Sequence, residues 1–381
     1  MYVLQLGLLS GAIQSLKNPL PSGYNYNESD VVFINQKAAN TLPYPFSRDY
    51  IGQLWGTTTD NPDVNAELGS IAQASFIAYD RRFFDILGPH PKLEKLFTLP
   101  EGTHEAPNYL PAQNKVFVSN FNYTYEYLID LSSEPPVLEN LTTTPELQSV
   151  NGGFIYQGKL VVGTDGFRNS TPPGLYLYDP ATNHSEVLLN NFRGLRFNTP
   201  DDLVVDQYGQ VWFVDAPFGY ITGVYYGLPQ LAPSIYCYNI ETGSLSVVDQ
   251  TIDWPNGIAF SADNKTLYVT DTPIGPGNNT REHAIFAYDV APPHTLSNKR
   301  TFYVPDTFFA DGIKVSERGN IFTACASTVD VISPDGDLLG KINVPGHIIN
   351  NLVFLPNGTI FLTGEGGIWR VRIKEQGIVH Y

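Results

Sequence analysis

The chain has little of what many catalytic and membrane-associated folds need. Its 381 residues include one methionine and two cysteines, and 22 lysines and arginines stand against 38 aspartates and glutamates, a formal charge of −16. Two cysteines cannot form a disulfide framework. Cys237 and Cys325 fall on expected strands of different repeats, so both are expected as buried free thiols. The excess of negative charge repels nucleic-acid phosphates and anionic lipid, which argues against nucleic acid and membrane surfaces as partners and leaves cations as suitable ones. There is no GxSxG elbow, no HExxH, no CxxC and no glycine-rich phosphate loop. Serine hydrolases, zincins and nucleotide enzymes therefore lose their usual markers. No long stretch carries apolar residues at helical spacing.

What is abundant points to short strands. The 29 prolines, 33 glycines, 23 tyrosines and 22 phenylalanines suit many strands joined by tight turns. Residues 254–272 read WPNGIAFSADNKTLYVTDT, in which an Asn-Gly pair opens a strand, a turn follows, and a second strand ends in Asp. The pattern recurs as PDDLVVDQYGQVWFVD from Pro200, ADGIKVSERGNIFTAC from Ala310 and NNLVFLPNGTIFLTG from Asn350, with weaker copies HEAPNYLPAQNKVFVSN from His104 and NGGFIYQGKLVVGTD from Asn151. A third strand and usually a fourth follow each copy. Four antiparallel strands at a period of roughly forty to fifty residues predict a blade of a β-propeller, so the six copies predict an all-β, six-bladed propeller. The segment KLEKLFTL precedes the first copy and the last copy ends on GIWRVRI. The earlier strand is therefore expected to complete the sixth blade and close the ring.

In a propeller the first strand of each blade is innermost, so the residues that begin those strands ring one mouth of the central channel. They are Glu105, Asn151, Asp201, Asn256, Asp311 and Asn350. Carboxylates and amides aimed at one axis form a hard-oxygen set suited to Ca²⁺ or a similar divalent ion. The alternative is that each polar residue caps its own strand. The second strands return to the same mouth and bring Asp165, Asp215 and Asp271, which are expected to bind loop amides. The loops from Ala216 and Thr272 are expected to overhang the mouth as pocket walls.

Residues 1–20 begin with a short apolar run, MYVLQLGLLSGAIQS, read as a secretion signal, with a buried strand as the alternative. Residues 21–75 are expected as an extension packed on the flank, and residues 76–381 as the propeller. Eight N-x-Ser/Thr sequons, at Asn27, Asn122, Asn140, Asn169, Asn183, Asn264, Asn278 and Asn357, suit an N-glycosylated secreted protein.

The stretches PNGIAFSADNKTLYVTDT, LRFNTPDDLVVDQYGQVWFVD and FADGIKV resemble the gluconolactonase and senescence-marker-protein (regucalcin-like) family of six-bladed, Ca²⁺-dependent lactonases, whose relatives include paraoxonase and strictosidine synthase. The HEA at 104–106, YDRRFFDILG from Tyr79 and INQKAAN from Ile34 look most similar to secreted fungal lactonohydrolases acting on aldonolactones and pantolactone. The resemblance implies Glu105, Asn256 and Asp311 as metal ligands, with Asp201 as a fourth. Asn151, Arg196, Asn198 and Asp201 are the expected substrate contacts. The family usually has Asn-Asp where this chain has Asp201-Asp202, which adds a negative charge beside the ion.

The implied activity is hydrolysis of a sugar-type or small hydroxy-acid lactone, with Ca²⁺ polarising the carbonyl and a base activating water. The resemblance gives that base as Asp311, but a carboxylate on a cation is a weak base. His347, three residues before Asn350, is the other candidate. His104 neighbours Glu105, but strand alternation turns it away from the channel. Two other readings stay open: a non-catalytic metal-binding propeller that docks a protein partner, and a condensing enzyme of the strictosidine-synthase type.

Overall fold

The structure, a computed structural model, describes residues 14–49, 52–99, 105–120, 125–273, 283–307 and 309–380. It is an all-β propeller. Five sheets are four-stranded antiparallel blades. The first runs from Asn108–Leu110 to Val137–Leu141, the second from Val150–Tyr156 to His184–Leu189, the third from Pro200–Val205 to Leu245–Asp249 and the fourth from Pro255–Phe260 to Thr295–Tyr303. The last is the closing blade, formed by Ile349–Leu355, Thr359–Gly364, Gly366–Arg372 and Lys92–Leu99.

The expectation of six four-stranded blades needs correcting. Five sheets have that form, and in place of a sixth stands a seven-stranded sheet. Its strands Ile313–Val315, Ile321–Cys325, Thr328–Ile332 and Leu338–Asn343 carry the repeat starting at Ala310, and Phe76–Ala78, Val31–Ile34 and Lys17–Asn18 continue it outward. Phe76–Ala78 pairs antiparallel with Leu338–Asn343 and parallel with Val31–Ile34. The reason is edge chemistry. The outermost strand of a blade offers a row of unpaired N–H and C=O groups, and the earlier part of the chain satisfies it. A helix at Pro62–Ile71 also escaped the sequence reading. Asn61 caps it by accepting from the N–H groups of Asp63 and Val64 at 2.9 and 3.1 Å. Its Val64, Leu68 and Ile71 pack on Val32, Ile34 and Ile77.

Ring closure follows the expected plan. Lys92–Leu99 pairs antiparallel with Gly366–Arg372 from Arg372↔Lys92 to Gly366↔Leu99. Arg370, buried between the strands, donates from Nε to Glu94 at 2.7 Å and from both terminal nitrogens to Glu134 at 2.8 and 2.7 Å, tying closing strand, closing blade and first blade together. Between neighbouring blades the core is apolar and aromatic. Phe322, Val331, Leu352 and Trp369 pack the seven-stranded sheet on the closing blade, while Trp212 meets Phe260 edge-on at 5.6 Å between the third and fourth. Cys237 and Cys325 are free and buried in separate sheets, as expected.

Because the closing strand supplies the last pairing of the ring, a chain lacking residues 92–99 exposes Gly366–Arg372 and loses the Arg370–Glu94 link. Such a deletion should abolish the cooperative thermal transition followed by far-UV circular dichroism and yield aggregates on size exclusion. A monomeric variant melting cooperatively near the parent temperature would refute this account of closure.

Candidate active site

The inner strands of the five blades and of the seven-stranded sheet pass one another in succession around the axis, and the last returns to the first. At four of their mouth ends the ladder is broken by a register shift: between Val150 and Gly152, Pro200 and Leu203, Pro255 and Ile258, and Ile349 and Asn351. Asn151, Asp201, Asn256 and Asn350 lie within these irregular steps. A bulge re-aims side chains that a regular strand would send to alternate faces. All six residues of the expected ring are buried, from Asp201 at 2% to Asn256 and Asn350 at 8% exposure.

The glycine of the Asn-Gly pair has a packing cause. A Cβ on Gly257 would lie 2.4 Å from the carbonyl oxygen of Asp311, and one on Gly152 would lie 2.2 Å from that of Asp201. The neighbouring inner strand occupies the space a side chain would need, so the pair marks close approach of two strands rather than a turn. In the third blade this position is Asp202 and in the closing blade Asn351. Those two side chains find room and partners instead.

The side chains converge through hydrogen bonds. Asn351 Nδ2 donates to Glu105 Oε2 at 2.5 Å, joining the closing blade to the first. Asn350 Nδ2 donates to Asp311 Oδ2 at 3.3 Å. Asn151 Nδ2 donates to Asp165 Oδ1 at 3.0 Å. Asp311 Oδ1 and Asn350 Oδ1 are buried acceptors left without a partner.

Burial raises these carboxyls together. Glu105 is held well above the usual carboxylate range by burial first, then by the charges of Asp311 and Asp201. Asp201 is raised likewise by burial, with Asp165, Asp311 and Asp202 adding to it. Burial pushes Asp311 up to about 7, against the hydrogen bond from Asn350. Carboxylates on the first blade, the third blade and the seven-stranded sheet thus feel one another across the axis. Such groups gain most from a cation that lets them ionise.

The sequence comparisons bear on this arrangement. The pattern of the SMP-30/Gluconolactonase/LRE-like region matches residues 137–366. The chain belongs to that family. It is 32% identical over 351 residues to lactonohydrolase oryL of Aspergillus oryzae, covering 85% of this chain and 80% of the relative. Among solved structures, a gluconolactonase from Xanthomonas campestris superposes with a TM-score of 0.69 at 26% identity, covering 78% of this chain and 94% of its own. A calcium-binding regucalcin from Agrobacterium tumefaciens shares the fold with a TM-score of 0.58 at 19% identity, over 75% of this chain and 95% of its own.

For a gluconolactonase-family chain the remaining expected site residues take distinct places. Asn198 Nδ2 donates to Asp215 Oδ2 and to the Leu231 carbonyl, both at 3.1 Å. Arg196 donates to the Tyr225 hydroxyl and lies 5.4 Å above that ring, while its N–H donates to Gln230 Oε1 at 2.8 Å. Both residues therefore fasten the loop from Ala216, which Gly219 also ties down by donating to Thr199 Oγ1 at 2.8 Å. Asp215 and Asp271 accept from loop amides, of Asn198 and Thr199 and of Trp254 respectively, as expected. Asp165 departs from that role by binding the Asn151 side chain. His347 donates through Nδ1–H to the Glu365 carbonyl, 3.1 Å away, and packs on Trp369 at 4.9 Å. Neither partner belongs to the converging set. His104 and most of the loop from Thr272 lie outside the described residues.

Sequence reasoning missed Asn351, which orients Glu105, and Lys314, whose Nζ lies 3.1 Å from Asp202 Oδ2. The doublet Asn350-Asn351 was the available signal, since a second amide beside the first fills the position that is glycine in three other repeats. Among the described residues no three Asp, Glu, His or Cys side chains gather as a metal cage on their own. A cation at the mouth would have to draw on amides as well. The unpartnered Asp311 Oδ1 and Asn350 Oδ1, together with an all-oxygen donor set, fit such a cation.

Replacing Gly257 with Ala should push the Asp311 segment aside and cost about 1–3 kcal/mol of stability, the usual penalty of overpacking. Urea unfolding measures it. A Gly257→Ala variant as stable as the parent would show that the two inner strands are not held in contact.

Proposed function

We propose that the chain is a lactonase that uses a divalent cation, Ca²⁺ foremost, held at the mouth by Glu105, Asn256 and Asp311 with Asp201 as a fourth ligand. The observation that carries this reading is the burial of Glu105, Asp201 and Asp311, whose charges disfavour one another's ionisation, together with an unpartnered Asp311 oxygen. Kinship with a fungal lactonohydrolase and a bacterial gluconolactonase supports lactone hydrolysis, and the calcium-binding regucalcin neighbour supports the choice of ion. The substrate class is a sugar-type or small hydroxy-acid lactone.

When bound, the cation supplies Lewis acidity toward the lactone carbonyl and steadies the oxyanion that forms on it. The protein does the rest. Asp311, whose Oδ2 is fixed by Asn350, accepts a proton from the attacking water. Water oxygen bonds to the carbonyl carbon, the ring C–O bond breaks, and the proton passes to the departing alkoxide, giving the open hydroxy acid. Asn151 and Asp201 face the substrate, and Arg196 and Asn198 hold the loop from Ala216 over it. The described residues contain no helix long and apolar enough to cross a membrane. Secretion and N-glycosylation belong to the same proposal, favoured by exposed sequon residues such as Asn140, Asn169 and Asn357.

Glu105→Ala and Asp311→Ala should each lower lactone hydrolysis by orders of magnitude in a pH-stat assay, with far-UV circular dichroism unchanged, and chelator should do the same to the parent. Full activity in chelator would overturn the metal reading. The absence of turnover on any lactone despite bound metal would favour a non-catalytic propeller. His347→Ala separates the two bases: a loss of less than about tenfold keeps Asp311 as base, whereas near-complete loss with metal retained transfers that role to the imidazole.

A further inference from the structure

Lys314 sits on the inner strand Ile313–Val315 of the seven-stranded sheet, three residues after Asp311. Its ammonium reaches past the fourth blade's inner strand to Asp202 on the third, 3.1 Å away. The Asp202 side chain is 3% exposed and that of Lys314 26%. The other Asp202 oxygen, Oδ1, accepts the N–H of Leu203 at 3.0 Å. Both oxygens are therefore engaged away from the mouth.

The position of Lys314 divides the channel. Beyond it, in the far half, lies a cavity of about 160 Å³ whose walls include Phe154, Ile258, Val353 and Phe354. On its near side stand Glu105, Asp201 and Asp311, each of which feels the charge of Asp202. With a divalent ion at the mouth, the four buried carboxylates of Glu105, Asp201, Asp202 and Asp311 would be balanced against that ion and Lys314. The ion alone leaves two charges unmet; a paired Asp202 leaves one, which is tolerable among amide donors. Asp202 released from Lys314 would sit beside Asp201 as one more anionic oxygen donor. A cation held by more carboxylate is bound more firmly but withdraws less electron density from a carbonyl.

We propose that Lys314 is a positioning residue that sets the charge of the metal-binding mouth by holding Asp202 out of the ligand set. This inference rests on the lactonase reading above, and its test separates the two. Calcium chloride is titrated calorimetrically into the metal-stripped full chain, as parent, Lys314→Met, Lys314→Arg, Asp202→Asn and the Lys314→Met/Asp202→Asn pair, and each protein is melted in chelator and in saturating calcium.

Lys314→Met should bind Ca²⁺ about tenfold more tightly or better, the scale set by one unit charge at this range in a partly screened site. It should turn over lactone more slowly and melt lower in chelator, with the loss made up by calcium. Lys314→Arg should keep the parent's calcium affinity within about twofold, since the charge is preserved. Asp202→Asn should weaken Ca²⁺ binding about tenfold by leaving the lysine unopposed, and the double variant should return near the parent value. A purely packing role would lower the melting temperature equally with and without calcium and leave affinity alone, and that result, or an unchanged affinity in both Lys314→Met and Asp202→Asn, overturns this proposal while leaving the lactonase reading intact. Should the parent itself take up no calcium, the metal reading falls and this inference with it.

Discussion

The close passage of inner strands around a single axis governs the molecule. Where Gly152 and Gly257 let the next strand's backbone come within reach of a missing Cβ, the mouth narrows until side chains from different blades must share one small volume. Bulges at the same points turn those side chains inward. Burial and crowding then act together on the carboxylates: Glu105, Asp201 and Asp311 lose water and gain like-charged neighbours in one step. The chemistry of the mouth is a consequence of how tightly the strands are packed, not an addition to an otherwise finished scaffold.

The amides do the ordering. Asn350 and Asn351, adjacent in the chain, serve opposite walls, one holding Asp311 and the other Glu105. Adjacent residues can do this only because the ladder is irregular there. Behind them Asp215 and Asp271, at the ends of their second strands, are spent on loop amides, and Thr199, held by Asp215, in turn accepts from Gly219 and anchors the loop from Ala216. Position and enclosure are therefore coupled through short contacts.

Much of this was legible in the sequence. The recurring residue ahead of each first strand could be aligned without a structure, because strand period and repeat period together specify which side chains share a rim. Closure by KLEKLFTL was legible for the same reason, since the last copy was short by one strand. The seven-stranded sheet was not, because Phe76–Ala78 and Val31–Ile34 are ordinary apolar triplets and quartets whose partner lies far along the chain. Nor was Lys314, which reads as a polar residue in an alternating strand until folding sets it against Asp202. Cross-blade contacts have no local period, so no local pattern announces them.

The pairing of Lys92–Leu99 with Gly366–Arg372 has a consequence for biosynthesis. During translation the earlier strand leaves the ribosome while its partner is still hundreds of codons away, and Phe76–Ala78 waits almost as long for Leu338–Asn343. Such a chain carries unpaired strand edges throughout its own synthesis, and loop-closure entropy sets a slow final step. The nascent protein is thus most vulnerable to misassembly just before its last blade emerges, and its yield in a cell will depend on what shields those edges until then.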